Sequence, residues 1–171
     1  MIQEPDWNSY RILSAVPKEI RAEIGSIMIS QGSIEFELRI CISLLIRVNS
    51  DAVEMISAEL SYKQLIALVS SLMIQRVGKD SEVYKDFSQA TAKLDEFEML
   101  RNRVAHSHWS HSIDAMASQN QAARHKSTSK RGQGLQRVTE EVTLTELQIA
   151  HKKAVFYLGQ LILRVQQASI S

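Results

Sequence analysis

Apolar residues recur in steps of four and three early in the chain: Ile20, Ile24, Ile27, Ile34, Leu38, Cys41, Leu45 and Val48, with Gln31 filling the one vacant step. That spacing lines one face of an α-helix, so it predicts a single amphipathic helix of roughly 30 residues. Pro17, whose fixed φ suits a first turn, marks its start. Ahead of it, residues 1–16 read as a loosely defined arm, with Trp7, Tyr10 and Leu13 available to pack it onto the body. Asn49-Ser50-Asp51 is a stop and restart signal. Leu60, Leu65, Leu68, Val69, Leu72 and Met73 then mark a second helix that ends near Gly78. A third stripe runs Val83, Phe87, Ala90, Leu94, Phe97, Arg101, Val104, again in steps of four and three.

After Trp109 the pattern changes. Trp109, His111, Ile113 and Ala115 alternate with Ser110, Ser112 and Asp114, a period of two compatible with a short strand. From Ala115 to Thr139 there is no acidic residue, while Arg124, Lys126, Lys130, Arg131 and Arg137 supply positive charge among Ser, Thr, Gln and Gly. This reads as a mobile basic loop, or as a long hairpin returning near Val138 to Val142. Lacking apolar periodicity, the stretch from Gln119 to Gln133 is expected to be dispensable for folding. Thr143 with Glu146, and Thr145 with Gln148, each offer a capping-box pairing for a last helix with Leu147, Ala150, Ala154, Leu158, Leu161 and Val165 as its stripe. The expected fold class is therefore all-α: an antiparallel four-helix bundle with a basic loop or small β-hairpin between the third and fourth helices. Residues 17–171 are expected to form one domain, with the basic insert spanning residues 110–142.

Composition narrows the function classes. The chain has 171 residues, 44% apolar and 23% charged, enough for one buried core. Its 20 basic and 19 acidic residues give a net charge of +1, so an attraction to nucleic acid or membrane has to come from a local patch. One cysteine, Cys41, allows no internal disulfide and fits a reducing cytoplasm. No apolar run is long enough to suggest a membrane partner or a secretory signal.

The candidate chemistry lies where the third helix ends, at Arg101-Asn102-Arg103-Val104-Ala105-His106. Arg101 interrupts an apolar stripe, and a charge there needs a partner. Glu35, one turn from Gln31 on the first helix, fits either as a structural ion pair or as the residue that orients an anion-binding arginine. His106 follows Asn102 by four residues, which puts both on one helical face, so Asn102 can fix the imidazole tautomer. Histidine changes protonation near neutral pH and suits general acid–base work, although a histidine at a helix C-terminus also interacts well with the last carbonyls. His106, His108 and His111 with Asp114 match no zinc signature, so no metal or other cofactor is expected. Arg103 together with Arg124, Lys126, Lys130 and Arg131 are the candidate phosphate contacts of an RNA strand, a solvated loop being the other reading of the last four. His125 and His151 read as solvated or capping residues. Val104 and Trp109, taken as exposed beside Arg101, suggest a surface covered by a second copy in a symmetric homodimer.

The long first helix, a second opening with Leu60-Ser61-Tyr62-Lys63-Gln64-Leu65, a third closing on Arg101-Asn102-Arg103-Val104-Ala105-His106-Ser107-His108-Trp109, and a last helix after an irregular insert together resemble the HEPN superfamily of all-helical domains. Arg101, Asn102 and His106 match its arginine, neighbouring polar residue and histidine, and the likeness covers residues 17–168. The resemblance implies a metal-independent endoribonuclease of toxin or phage-defence type, in which the ribose 2′-hydroxyl attacks the adjacent phosphate. His106 would be the acid or base, Arg101 would stabilise phosphoryl charge, Asn102 would position the histidine, and His108 would support it. It also implies a homodimer whose two motifs face one composite cleft, and a cognate antitoxin or other partner protein. Toxins paired with nucleotidyltransferase antitoxins carry a tyrosine two residues after the motif histidine, where this chain has His108. The competing expectation is a catalytically inactive helical dimerisation module that binds RNA or a partner protein.

Overall fold

The computed structural model describes residues 16–111, 120–130 and 134–170; the arm predicted for residues 1–16 falls outside them apart from Val16. Five helices and three strands follow in the order α1 Lys18–Ile46, α2 Ser50–Ser57, α3 Tyr62–Val77, α4 Glu82–Ala105, β1 His108–His111, β2 Gln121–Lys130, β3 Gly134–Thr143 and α5 Leu144–Ser169. The fold is thus mixed, not an all-α four-helix bundle, and two features overturn that expectation. Asn49-Ser50-Asp51 opens a separate helix, α2, with the Asn49 side chain accepting from the Asp51 N–H at 2.7 Å. The basic stretch, read as a mobile loop or as a long hairpin returning near Val138 to Val142, takes the paired form: β2 is antiparallel to β3 and lies between β1 and β3 in one sheet. Its residues Gln121-Ala-Ala-Arg-His-Lys-Ser-Thr-Ser-Lys130 show no apolar alternation, so the strand forms through backbone pairing on both edges with no sequence period to announce it.

Where the apolar period is strong, the elements lie where it predicts. α1 begins directly after Pro17, whose carbonyl accepts from the Arg21 N–H at 3.0 Å. α3 stops at Gly78, which takes a positive φ of 81° and returns its N–H to the Ile74 carbonyl. Thr143 and Glu146 form a complete capping box at the start of α5: the Thr143 N–H donates to Glu146 Oε2 at 2.8 Å, and the Glu146 N–H to Thr143 Oγ1 at 3.1 Å.

The chain divides into two compact units. One comprises Met28–Leu100 and His151–Ser171. Most of the predicted stripe positions are buried in it: Ile34, Leu38, Cys41 and Leu45 of α1, Leu65, Val69 and Met73 of α3, Phe87, Leu94 and Phe97 of α4, and Ala154, Leu161 and Val165 of α5; Val48 and Leu68 of those stripes are exposed, and Ile42, Val53 and Tyr62 are buried outside them. Arginines secure helix ends. The Arg39 guanidinium donates to the carbonyls of Ser57 and Ala58 at the end of α2, and Arg76 Nε donates to the Leu45 carbonyl at 3.0 Å near the end of α1. Ser30 bonds His151 at 2.6 Å and Arg47 bonds the Ser169 carbonyl at 3.2 Å, so α1 and α5 lie side by side running in the same direction.

The other unit comprises Met1–Ile27 and Arg101–Ala150 and contains the sheet. Ile20, Ile27, Ala122, Ala123 and Leu147 are buried in it. Val104, expected at an uncovered surface, is buried too, and the half-buried Trp109 donates its indole N–H to the Val104 carbonyl at 3.1 Å. Of the three residues of that expected surface, Val104 is buried and Arg101 and Trp109 are half-buried.

Two outcomes follow from these packings. Deleting residues 121–130 removes the central strand, which leaves β1 and β3 without a neighbour; hydrogen exchange over β3 should become fast, and slow exchange there after deletion would show that the strand is dispensable. Cys41 is 1% exposed, and burial, with the Glu37 charge adding to it, pushes its thiol up to about 12. At neutral pH the reactive thiolate is therefore scarce, and an alkylating reagent should label Cys41 only as fast as the chain unfolds. Rapid labelling in native buffer would contradict this.

Candidate functional site

The unit containing the sheet brings the end of α4 beside the three strands. The His106 N–H still donates to the Asn102 carbonyl at 3.1 Å, so helical geometry persists one residue past Ala105. At about 100° per residue, Asn102 and His106 share a face while Arg101 lies about 140° round from His106. The chain then turns through Ser107 into β1, which starts at His108.

Sheet register assembles the rest. His108 pairs with His125, His125 with Thr139, and Ser127 with Arg137. Paired residues on adjacent strands point to the same side, so His108, His125, Ser127 and Arg137 stand on one face of the sheet. Together with His106 they line one open cleft of about 610 Å³. His106 and His108 are exposed, whereas His125 is half-buried and held from both sides: Ser110 Oγ lies 2.8 Å from Nε2, and Thr139 Oγ1 lies 3.0 Å from Nδ1. The rings of His108 and His125 lie 5.8 Å apart at an interplanar angle of 40°. Among the described residues the lining carries three imidazoles and a guanidinium and no carboxylate, so it suits an anion and groups that exchange protons with it.

The opposite face is built on Arg124. Its side chain is 5% exposed, its guanidinium is ion-paired to Glu140 directly across on β3, and Nη1 donates to Ser107 Oγ at 3.0 Å. Ser107 Oγ in turn donates to the Arg103 carbonyl in the last turn of α4. The hydrogen bond from Arg124, with the charges of Arg124, Arg103 and Lys126 behind it, holds the Glu140 carboxyl below the usual carboxylate range. Arg124, a candidate phosphate contact from its sequence context, is taken up by this internal pairing and has no open face for a phosphate.

The other predicted residues scatter. Arg101 and Asn102 are half-buried on α4 and do not line the cleft. Arg103 is exposed at the end of α4, and Lys126 is exposed on the Arg124 side of β2. Arg131 lies outside the described residues, and for Lys130 only the backbone in β2 is described. Glu35, on α1 in the other unit, accepts from Gln31 Nε2 at 3.2 Å. His151, read as solvated or capping, is half-buried and stacks on Phe97 with centroids 6.2 Å apart. Sequence reasoning passed over His125, Ser127 and Arg137 as cleft residues. Their one signal is the i, i+2 spacing of His125 and Ser127, which means nothing until β2 is recognised as a strand. Among the described residues, no three His, Cys, Asp or Glu side chains are grouped to hold a metal ion; His111's side chain and Asp114 lie outside them.

The Arg124–Glu140 pair predicts an acid-sensitive fold. A carboxyl held low in the folded state contributes stability above its unfolded value, and that contribution is lost as pH falls through the folded value. Glu140→Gln should therefore be less stable than the parent at pH about 7, with the difference closing at pH about 3, as read by denaturant unfolding. A gap that is unchanged between the two pH values would show that the pairing carries no linked proton. Comparison of the chain with protein-family models, with curated proteins and with solved structures finds no match.

Proposed function

We propose that the cleft is the centre of a metal-independent endoribonuclease, the activity that the resemblance to HEPN domains implies. The observation that carries the proposal is the meeting of His106, His108, His125 and Arg137 in one open cleft of a single chain. Cleaving RNA by 2′-hydroxyl attack needs a base to take the hydroxyl proton, an acid to protonate the departing 5′-oxygen, and a cation to offset charge on the phosphoryl oxygens. The exposed His106 and His108 supply the base and the acid. Arg137 holds the phosphate. His125, fixed by Ser110 and Thr139, backs His108. The new bond joins the 2′-oxygen to phosphorus, the bond to the 5′-oxygen breaks, and the products are a 2′,3′-cyclic phosphate and a 5′-hydroxyl.

In this reading the second imidazole comes from His108 of the same chain, so a second His106 from a partner is not required. Asn102, on the His106 face, positions the motif histidine, and Arg101 serves the end of α4. The cleft is open, and its volume falls in the usual ligand range of about 300–1,000 Å³. No described helix is long and apolar enough to cross a membrane. Cytoplasmic RNA is the substrate class, in keeping with the single buried Cys41.

The test is incubation with mixed RNAs in EDTA followed by end-group analysis, with 2′,3′-cyclic phosphate ends expected. His106→Ala and His108→Ala should each lower cleavage by about two orders of magnitude or more, and Arg137→Ala by a similar factor, with little change in melting temperature because all three side chains are exposed. Arg101→Ala should lose less activity than Arg137→Ala. RNA that binds but stays intact would overturn the nuclease and identify a binding module; cleavage unaffected by His106→Ala would overturn the site.

A further inference from the structure

The two sides of β2 are covered unequally. β3 pairs with it from Gln121 to Lys130, whereas β1 pairs only from Ala122 to His125. Beyond His125 the β1 side of the strand is left without a neighbouring strand, because the chain ahead of His108 belongs to the end of α4. Ladder parity decides which main-chain groups face that opening. In an antiparallel pair, residues that exchange N–H and C=O bonds alternate with residues whose main chain points the other way. The Leu144 N–H donates to the Asn120 carbonyl at 2.8 Å, one step beyond the Gln121–Thr143 pair, so Asn120 and Leu144 belong to the bonded set. The register continues residue for residue to Lys130 and Gly134, which puts Lys126 with Val138 and Thr128 with Gln136 in the same set. Ser127, between them, therefore turns its N–H and C=O away from β3. His125 has the same parity and meets His108 on that side, but β1 has no residue opposite Ser127. Among the described residues no main-chain group bonds the Ser127 N–H.

This N–H opens on the cleft. Ser127 lines the cleft with Arg137, its partner on β3, and with His106, which precedes β1 on the uncovered side. Ser127 and Arg137 form one of the closer pairs of the ladder, those without mutual main-chain bonds, in which Cα atoms lie about 4.5 Å apart. The serine is small and exposed, so the arginine side chain can lie over it toward the same opening. The donor is also aimed in advance. The bonds of Lys126 and Thr128 to β3 hold the peptide planes on either side, and a donor held in place stabilises an anion without first reorganising. No carboxylate among the described lining residues competes for it.

We propose that the main-chain N–H of Ser127 is a phosphate-holding group of the cleft, donating to one phosphoryl oxygen while the Arg137 guanidinium holds another. The proposal rests on the reading of the cleft as an RNA-cleaving site and adds a donor that no side chain supplies. It also gives the shortness of β1 a consequence: continued back to residue 106, that strand would take up the donor in the sheet.

The test uses the full chain and a short single-stranded RNA with every 2′-hydroxyl methylated, which can bind without being cleaved. In amide NMR of the free chain, Ser127 should exchange with solvent far faster than Lys126 and Thr128. On adding the RNA, its proton signal should move downfield and its exchange should slow. Ser127→Ala keeps the N–H and should bind the RNA nearly as the parent does, whereas Ser127→Pro should bind about tenfold more weakly, the scale of one hydrogen bond to a charged group. Proline fits where a strand's N–H is not part of the ladder. If Ser127→Pro does not melt cooperatively, the amide measurement on the parent decides alone. A Ser127 amide that is protected in the free chain, one that does not respond when the RNA binds, or a folded Ser127→Pro that binds like Ser127→Ala would each overturn the proposal. So would an extended acidic peptide that slows Ser127 exchange where the RNA does not, which would assign the edge to a protein partner. The two readings fail separately: natural RNA left intact by a chain whose Ser127 amide responds defeats the nuclease alone, and cleavage with an unresponsive amide defeats the phosphate contact alone.

Discussion

A guanidinium withdrawn from water at Arg124 sets the conditions that the rest of its unit has to meet. An unpaired buried charge costs several kcal/mol, so Arg124 can lie inward only if an anion and hydrogen-bond acceptors meet it there. Glu140 supplies the charge from β3 and Ser107 the acceptor from the turn after α4. Each partner fixes something beyond itself. Pairing 124 with 140 sets the register of β2 on β3, and a slip of one residue would exchange every side chain between the two faces. Holding Ser107 sets where the chain leaves α4, one residue after His106. Ser107 lies between His106 and His108 and Arg124 precedes His125, so the constraint acts on the immediate chain neighbours of all three cleft imidazoles.

This division of labour explains why the charges of β2 behave so differently from one another. On the cleft side the strand carries His125 and Ser127; on the reverse it carries Arg124 and Lys126. A sequence reading adds these residues into one basic patch. The pleat separates them, and among the described side chains Arg137 is the noted basic residue that joins the histidines. In the other unit the guanidinia of Arg39 and Arg76 end on backbone carbonyls at helix termini, and Arg164 pairs with Asp86 at 2.9 Å.

The helices were legible because their information is local. Steps of three and four marked α1 from Ile20 to Leu45, a glycine able to take positive φ marked the end of α3, and Thr143 with Glu146 announced the start of α5. The short α2 was visible only as its N-cap signal. The sheet was legible only in part: the alternation after Trp109 and a hairpin returning near Val138 to Val142 could be read as alternatives, but nothing in Gln121–Lys130 states that it pairs with residues on both sides, and no apolar alternation fixes the register. The candidate site divides the same way. Asn102 and His106 share a helical face by spacing alone, while the meeting of His108, His125 and Arg137 depends on cross-strand pairing, and the burial of Arg124 depends on an acid sixteen residues away.

His125 bonds two hydroxyls, one on each neighbouring strand. A hydroxyl can either give or receive a hydrogen bond, whereas a carboxylate only receives and an ammonium only gives. In the neutral ring one nitrogen donates and the other accepts, so one hydroxyl points its hydrogen inward. If the ring gains a proton, both nitrogens donate, and that hydroxyl needs only to rotate. The same two oxygens therefore serve either protonation state, and the three strands stay stitched through the imidazole while its charge changes. Carboxylates could only have received from the ring and ammoniums only have given to it; serine and threonine can do either.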